Sequence, residues 1–326
     1  MAIAIIGAGI AGAACASALI QAGHNIVIFD KGRSVGGRMS SKRTDQGYLD
    51  LGAQYFTARS AEFNQQCQHW LNQQVIDVWQ GRLAVYQNSG LSESADDTVR
   101  YIGRPSMHKP VQHLLQNVDL RSHCRIDVAE FDGQRWQLYS QHQLMGRFET
   151  LVLALPQQQA AQLVAKMIPG QPLLAEVFAE QALLPCWAAD IELDAPSTVA
   201  VDGIFVKNDP ILSWVARQSS KAGRVAGEHW LLHFSPMFSQ LHIDAATSQI
   251  AAVSQAQLQR ILGHDLNGQV SLCHRWRYAQ QVPEFPQYGH IYQSNLALGL
   301  CGDWLNGGRV ENAWLSGQQL AQELSQ

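Results

Sequence analysis

The sequence predicts an α/β protein in which a parallel sheet flanked by helices is interrupted by an antiparallel sheet with a covering helix. The first 30 residues alternate between strand, helix and strand patterns. Short apolar runs recur at 151–155 and 296–300, and such runs are typical of strands buried in a parallel sheet. The region from about 168 to 278 differs, because strand-like runs there surround a helical pattern at 245–262.

The composition is that of a globular protein with no excess of basic charge. Of the 326 residues, 46% are hydrophobic and 15% are charged, which suits one large domain or two ordinary ones. Lys and Arg number 23 against 27 Asp and Glu, so the formal net charge is −4. Because phosphate neutralisation needs an excess of basic residues, this balance argues against nucleic acid as the main partner.

The apolar N-terminus is not expected to be a targeting or membrane segment. It lacks a basic n-region, and no other stretch reaches the roughly 18 apolar residues of a membrane span. The six cysteines form no C-x-x-C pair, which favours reduced thiols over a disulfide framework or a zinc site. We therefore expect a cytoplasmic protein with no membrane partner and no bound metal, and the oligomeric state stays open.

The first strand–helix–strand unit can be placed residue by residue. The apolar run Ala2–Ile6 predicts a buried parallel strand. The Ala-rich segment Ala11–Gln21 predicts a helix that ends at Gly23. Ile26–Phe29 predicts the second strand, and Asp30 follows at its carboxyl end. This order is that of a βαβ unit.

Three glycines in GAGIAG predict what this unit binds. Gly7 permits the tight turn, Gly9 lets a pyrophosphate approach the backbone, and Gly12 lets helix and strand pack closely. The helix N-terminus around Ala11 offers free N–H groups to phosphate. Asp30 lies where a carboxylate can bond the hydroxyls of an adenosine ribose. The motif alone is a weak signal, but in this context it predicts a dinucleotide site.

The remaining elements follow from their periodicity. Helices are predicted over 61–73, 105–116, from 157 to about 167, and 310–324. The segment 47–58 is predicted to be a short strand that runs into a loop. The other strand-like patterns lie in two short runs within 75–86 and at 124–131, 136–139, 188–193, 211–216, 230–234 and 270–276.

A Gly- and Arg-rich loop after the second strand favours FAD over NAD. It reads KGRSVGGRMSSKR and contains Lys31, Gly37 and Arg38. A flexible loop ending in Arg can bring a fixed cation to a pyrophosphate, which an NAD domain with a single fingerprint does not need. A solvated basic loop is the alternative.

The glycine fingerprint, the acid and GGRM together resemble the flavin amine oxidase superfamily, which includes phytoene desaturases and protoporphyrinogen oxidases. Within it, MSSKR (39–43), LDLGAQYFTAR (49–59), HRWRYAQ (274–280) and CGDWLNGGRVENAWLSGQ (301–318) resemble bacterial-type renalases. These segments cover both ends of the chain, whereas about 157–270 is similar only in its length and scattered tryptophans. The resemblance implies a Rossmann-like FAD-binding domain of p-hydroxybenzoate-hydroxylase-like topology, with an inserted substrate domain of antiparallel sheet plus helix.

The implied domains are discontinuous. Residues 1–58, 104–165 and 296–326 are expected to form the FAD-binding domain. Residues 59–103 and 166–295 are expected to form the substrate domain.

The resemblance also implies roles for single residues. Gly302 and Asp303 match the pair that holds the ribityl chain and pyrophosphate, and the Val310 backbone would meet the edge of the flavin where negative charge collects. Val128 matches the strand position whose backbone meets the adenine. Cys301 is expected to be a packed thiol, so FAD is expected to bind noncovalently. The full expected cofactor set is Gly7, Gly9, Ala11, Gly12, Asp30, Lys31, Gly37, Arg38, Gly52, Ala53, Gln54, Val128, Gly302, Asp303 and Val310.

The implied reaction is oxidation of 2- and 6-dihydro isomers of NAD(P)H to NAD(P)+, with hydride passing to flavin N5 and dioxygen being reduced to hydrogen peroxide. The expected partners are therefore a small-molecule dinucleotide and dioxygen. A dihydropyridine is already a hydride donor, so positioning suffices and no catalytic residue is assigned. The side chains expected to face the substrate are Tyr55, Phe56, Thr57, Trp187, Trp214, Trp276 and Tyr278.

Structural roles remain open for several of these candidates. Trp187 and Trp214 alternate with apolar residues in strands and could belong to the core. His233 and His274 also fit hydrogen-bonded structural positions. Three arginines could bind substrate phosphates, namely Arg275, Arg277 and Arg309. A surface position is the alternative for Arg275 and Arg277.

Three other functions stay open. An amine oxidase or polyene desaturase could use the same fold, and an amine oxidase would have an aromatic cage and a lysine near the flavin; no lysine can be placed there from the sequence. A non-catalytic FAD sensor and a plain NAD-dependent dehydrogenase are the remaining alternatives.

Overall fold

The computed structural model describes residues 1–263 and 266–326. Its strands are, in chain order, β1 (Ala2–Ile6), β2 (Asn25–Phe29), β3 (Ser41–Thr44), β4 (Gly47–Asp50), β5 (Ile76–Val78), β6 (Leu83–Gln87), β7 (Gly90–Glu93), β8 (Tyr101–Gly103), β9 (Asp119–Arg121), β10 (Val128–Phe131), β11 (Trp136–Ser140), β12 (Gln143–Phe148), β13 (Thr150–Leu153), β14 (Leu183–Leu193), β15 (Gly203–Val206), β16 (Leu212–Arg217), β17 (Glu228–Phe234), β18 (Gly268–Gln281), β19 (Ile291–Gln293) and β20 (Leu298–Leu300). The α-helices are α1 (Ile10–Gln21), α2 (Ala61–Asn72), α3 (Lys109–Leu114), α4 (Gln157–Leu163), α5 (Pro172–Val177), α6 (Pro236–Leu241), α7 (Thr247–Leu262) and α8 (Val310–Leu324).

A six-stranded sheet has the order β19-β20-β13-β1-β2-β9. Its neighbours pair in parallel except at β19, which is antiparallel to β20. Both faces are covered, so the strands are apolar throughout: Ile3 and Ile5 face one core, and Ala4 and Ile6 face another. The strands predicted from the four short apolar runs all lie in this sheet.

Helices α1 and α8 pack together against this sheet, although they come from opposite ends of the chain. A Cβ on Gly317 would lie 2.2 Å from the carbonyl oxygen of Ala11, so only glycine allows the two backbones to come this close. Helix α1 ends as predicted at a glycine with positive φ, since Gly23 has φ of 86°. The predicted bounds of α8 are confirmed.

A seven-stranded sheet has the order β18-β14-β17-β16-β15-β6-β7. It is antiparallel apart from the parallel pair of β6 and β15. Helix α7 covers one face, where Ile250 and Leu258 pack with Trp230 and Ile191. The predicted antiparallel sheet with a covering helix is confirmed, whereas the entry of β6 and β7 into this sheet was not predicted.

Several predicted bounds need correction. The helix predicted over 105–116 is confined to α3, because the preceding residues form turns. The helix predicted to reach about 167 ends at Leu163, and the strand predicted from 124 begins at Val128. The partly exposed strand β12, which contains Gly146, was not predicted. It completes a three-stranded sheet with β10 and β11.

The architecture is mixed α/β with a Rossmann-like unit, which confirms the predicted fold class. The predicted domain boundaries stay a prediction. In residues 1–263 and 266–326, no helix has both the length and the apolar character needed to cross a membrane.

Candidate functional site

A cavity of about 1300 Å³ is lined by residues of both large sheets and of the loops between them. The predicted cofactor residues on its wall are Gly7, Gly9, Ala11, Asp30, Lys31, Gly37, Arg38, Gly52, Ala53, Gln54, Gly302, Asp303 and Val310. The predicted substrate residues on its wall are Tyr55, Phe56, Thr57, Trp214, Trp276 and Tyr278. The structure therefore brings most of the predicted site into one space.

The glycine turn after β1 leaves the backbone open to the cavity at one point. Gly7 has φ of 110°, and a Cβ there would lie 2.4 Å from the Ala154 carbonyl oxygen. A Cβ on Gly12 would lie 2.1 Å from the Gly7 carbonyl oxygen, so Gly12 acts by packing, not by lining the wall. A Cβ on Gly9 would meet nothing within 4 Å. The chain itself therefore requires glycine at Gly7 and Gly12, whereas Gly9 leaves open space, and its predicted role at a pyrophosphate stays a prediction.

The Asp30 carboxylate joins this turn to the loop that follows β2. It accepts hydrogen bonds from the Ala8 N–H at 2.7 Å and from the Gly32 N–H at 2.6 Å. Asp30 also lines the cavity, as its predicted role at a ribose requires. The carboxylate thus has a structural role in addition to the predicted one.

Arg38 and Asp303 pair with each other across the cavity wall. The Arg38 guanidinium donates to both carboxylate oxygens of Asp303, and also to the Ala279 carbonyl at 3.1 Å. Such bidentate pairs are among the stronger charge-assisted contacts. Asp303, predicted to bind the ribityl chain, therefore neutralises Arg38, predicted to bind a pyrophosphate. The two residues are 265 positions apart in the sequence.

Beneath the wall, a buried ionic cluster holds the loop that carries Gly52 and Gln54. Asp50 accepts from Arg224 Nε at 2.8 Å and lies 3.6 Å from Lys221 Nζ, and all three side chains are fully buried. Burial alone would raise the pKa of Asp50, but the two cations outweigh it and the pKa is lowered. Burial lowers the pKa of Lys221 to about 8.

Gln54 connects this cluster to the cavity. Its amide donates to the carbonyl oxygens of Asp50 and Gly52 at 2.7 and 3.0 Å, and its Oε1 accepts from Lys221 Nζ at 2.8 Å. Every polar atom of the amide is therefore engaged below the wall. The wall loop has a fixed position because the ionic cluster supports it.

Besides Gly12, two predicted site residues lie off the wall. Trp187 packs in the core under α7, and its Nε1 donates to the His242 carbonyl at 2.9 Å, so its structural alternative is the correct one. In β14 it is the preceding residue, Cys186, that lines the cavity, because side chains alternate between faces. Val128 is 40% exposed and does not line the cavity, whereas 124–127 does. The adenine contact predicted at Val128 stays a prediction.

Two histidines that line the cavity are poor bases. His233 Nε2 lies 3.0 Å from the Leu51 carbonyl oxygen, and burial lowers the pKa of His233 to about 4. Burial also lowers the pKa of His274, which packs against the Trp276 ring. Both rings are therefore neutral at pH 7.

These lowered pKa values predict a flat pH dependence. A histidine whose pKa is lowered gains its proton only at more acidic pH, so both rings are mostly uncharged above pH 6.5. We expect neither ring to give the rate of flavin reduction by substrate an inflection above pH 6.5, and protonation of His233 to lower this rate only towards pH 4. A change near pH 8 would instead report Lys221, whose pKa is about 8. Stopped-flow measurements across pH 4.5–8.5 test this. An inflection near 6.5 that His233→Asn abolishes would contradict it.

The three arginines considered for substrate phosphates all line the cavity. Arg275 NH1 donates to the Ile243 carbonyl, and Arg277 pairs with the exposed Asp244 at 3.0 Å. Arg309 has φ of 74° at the start of α8. Arg100 and Phe205 also line the cavity and were not predicted, because nothing in their local sequence distinguishes them from core or surface residues.

Comparison with known proteins places the N-terminal unit in a recognised class. Residues 5–73 match the NAD(P)-binding Rossmann-like domain. Renalase of Mus musculus is 22% identical over 297 residues, covering 85% of this chain and 84% of that protein. A 4,4'-diapophytoene desaturase (4,4'-diaponeurosporene-forming) of Staphylococcus haemolyticus is 46% identical over 52 residues. That match covers 16% of this chain and only 10% of the desaturase.

Solved structures resemble the whole fold. An oxidoreductase from Methanosarcina mazei aligns with a TM-score of 0.74 at 12% identity, covering 99% of this chain and 100% of that one. Cyclohexylamine oxidase from Brevibacterium oxydans IH-35A aligns with a TM-score of 0.71 at 12% identity, covering 99% and 98%. The chain therefore has the same fold as these two proteins.

Proposed function

We propose that this chain is an FAD-dependent oxidoreductase of the renalase type that oxidises 2- and 6-dihydro isomers of NAD(P)H to NAD(P)+. The observation that carries the proposal is one continuous cavity that joins the glycine turn to a group of aromatic side chains. The similarity to mouse renalase extends over most of both chains and supports the substrate class. At about 1300 Å³ the cavity exceeds the roughly 300–1,000 Å³ of most ligand pockets, so it has room for a dinucleotide and a second ring system.

The residues at the glycine end fit FAD. The open backbone at Gly9 and the N-termini of α1 and α8 favour phosphate and the electron-rich edge of a flavin. We propose noncovalent binding, because Cys301 is fully buried and does not line the cavity. Cys186 does line it, but burial raises the pKa of its thiol to about 12, which leaves little nucleophilic thiolate.

The proposed reaction asks for positioning, not for acid–base catalysis. FAD, when bound, accepts the hydride and passes two electrons to dioxygen, which gives hydrogen peroxide. The protein has to bind the dihydropyridine, orient it and exclude water. Tyr55, Trp214 and Trp276 supply flat apolar surfaces on the wall. His233 and His274 are weak bases because their pKa values are lowered, which agrees with a reaction that needs no general base.

Anaerobic mixing with 6-dihydro-NAD tests the proposal. We expect the flavin absorbance near 450 nm to bleach within seconds, and air to restore it with release of hydrogen peroxide. Ordinary NADH, the 4-dihydro isomer, is the matched control, since it is the same dinucleotide with the hydride at another ring position. Absence of bleaching, with mouse renalase bleaching in parallel, would refute the proposed substrate.

Amine oxidation is the second candidate, and one observation favours it. Lys221 lies behind Gln54, beside an aromatic group that includes Tyr55, Trp79 and Trp214. The lysine that an amine oxidase would need thus has a counterpart in the structure, although Lys221 does not line the cavity. Flavin reduction by putrescine, cyclohexylamine or benzylamine, without reduction by dihydropyridines, would select this candidate.

A further inference from the structure

Two buried N–H groups at the aromatic end of the cavity have no hydrogen-bond partner. They are Nε of Arg100 and Nε1 of Trp214, residues that expose only 5% and 7% of their surfaces. Unpaired buried side-chain atoms occur elsewhere in the described ranges, but only those of Arg100 and Trp214 belong to residues on the cavity wall. Folded proteins satisfy nearly all buried donors, so two unpaired donors on one wall point to an acceptor on a ligand.

The two side chains that carry these donors lie beside two aromatic rings, those of Tyr55 and Phe205. The Arg100 guanidinium lies 5.1 Å from the Tyr55 ring centroid and 5.6 Å from that of Phe205. The Trp214 ring lies 5.5 Å from Tyr55 and 4.9 Å from Phe205. Arg100 and Trp214 therefore each contact the same two aromatic rings. We call this arrangement of Tyr55, Arg100, Phe205 and Trp214 the donor box.

The rest of the Arg100 side chain is fixed by its own loop. Its NH1 donates to the Thr98 carbonyl at 2.7 Å, and its NH2 pairs with the Asp96 carboxylate. Asp96 also accepts from the Thr98 N–H at 2.9 Å, so its oxygens are engaged. The carboxylate of Asp96 therefore neutralises the charge of Arg100. What the donor box still offers a ligand is two N–H groups, Nε of Arg100 and Nε1 of Trp214, which lie between aromatic rings.

We propose that the donor box binds a planar ring that carries a carbonyl-type oxygen acceptor, such as a carboxamide or carboxylate, and that it disfavours cationic amines. The acceptor oxygen would pair with the unpaired N–H groups of Arg100 and Trp214 after a small side-chain adjustment, while the ring packs against Tyr55 and Phe205. An ammonium group brings N–H donors and no acceptor, so it would leave both N–H groups unpaired. This inference rests on the proposed flavin-dependent oxidation, and it names the feature of the substrate that the site recognises.

Paired ligands and two substitutions in the protein test the donor box. The FAD-loaded protein is titrated anaerobically with benzamide and with benzylamine, and binding is followed by the perturbation of the flavin spectrum. The two probes share a ring and differ in carrying a carbonyl or an ammonium group. We expect benzamide to bind at least about tenfold more tightly, and Trp214→Phe and Arg100→Gln each to weaken benzamide about fivefold while leaving benzylamine unchanged.

Trp314→Phe is the matched control. Trp314 is also 7% exposed with an unpaired Nε1, but it does not line the cavity, so benzamide affinity should not change. The preference of the wild type for benzamide over benzylamine is measured without any variant, so it still tests the inference if a substitution impairs folding. Equal affinity for the two probes, flavin reduction by benzylamine, or wild-type benzamide affinity in Trp214→Phe would each overturn the inference. Retained benzamide preference without bleaching by 6-dihydro-NAD would refute the proposed substrate alone and leave the donor box standing.

Discussion

Replacing Asp50 with Asn is expected to lower the free energy of unfolding by about 3–5 kcal/mol, because it leaves two buried cations without their counter-ion. Asn keeps the shape of the side chain but removes the charge that faces Arg224 and Lys221. The Ser41 hydroxyl, which donates to Asp50 at 2.6 Å, loses a charged acceptor as well. Urea unfolding of the purified variant and wild type measures the difference.

The matched control is Asp119→Asn. Asp119 pairs with Arg121 at 3.3 Å, but its side chain is 53% exposed, so the change should stay within about 0.5 kcal/mol. Adding Lys221→Met to Asp50→Asn should recover part of the loss, since one unpaired cation is removed. A wild-type unfolding midpoint in Asp50→Asn would show that the cluster does not stabilise the fold.

The same cluster predicts how stability depends on acid. The folded pKa of Asp50 is lowered, so the carboxylate stabilises the fold at neutral pH and that contribution is lost as pH falls through the folded pKa. Asp50→Asn has no such group to titrate. We therefore expect the wild type and the variant to converge in stability in strong acid.

Replacing Gly9 with Ala is expected to separate cofactor binding from folding. Gly9 has φ of −79° and ψ of −179°, which alanine adopts freely, and its Cβ would meet nothing within 4 Å of the chain. The methyl group would instead project where the backbone must approach a pyrophosphate. We expect FAD affinity to fall about 100-fold, equivalent to about 3 kcal/mol, while the apoprotein unfolds at nearly the wild-type temperature.

Two other glycines serve as controls for Gly9→Ala. Gly90→Ala, in the exposed β7, adds a Cβ that meets only the Gln87 carbonyl at 3.7 Å. This variant should therefore keep both the wild-type FAD affinity and the wild-type unfolding temperature. Gly12→Ala should impair folding itself, because its Cβ would overlap the Gly7 carbonyl. Unchanged FAD affinity in Gly9→Ala would show that this turn does not bind the cofactor's phosphates.

The sequence allowed prediction of the parts of the site whose signals are local. The glycine turn, Asp30 and the start of α8 each depend on a few neighbouring residues, so their patterns could be recognised. The apolar strands of the six-stranded sheet were equally clear, because burial on both faces leaves an uninterrupted run. The resemblance then joined Gly302 and Asp303 to the same cofactor.

The parts that escaped prediction depend on contacts between distant residues. Nothing near Arg100 indicates that its guanidinium lies between Tyr55 and Phe205, since three separate segments meet there. Lys221 resembles an ordinary surface lysine until Asp50 and Gln54 surround it. A tryptophan in a strand can face the cavity or the core, and the pairing register of β14 decides which. In this register Trp187 faces the core, whereas the preceding Cys186 lines the cavity.

The pairing of the two ends of the chain has a consequence for how this protein is made. During synthesis, β1 emerges first, yet its neighbour β13 and the helix that packs on α1 are translated much later. Contacts of such large separation form slowly, because a long loop must close first. The ion pair between Arg38 and Asp303 can form only when almost the whole chain has left the ribosome. A nascent or C-terminally cleaved chain would therefore have the glycine turn without the Arg38–Asp303 pair.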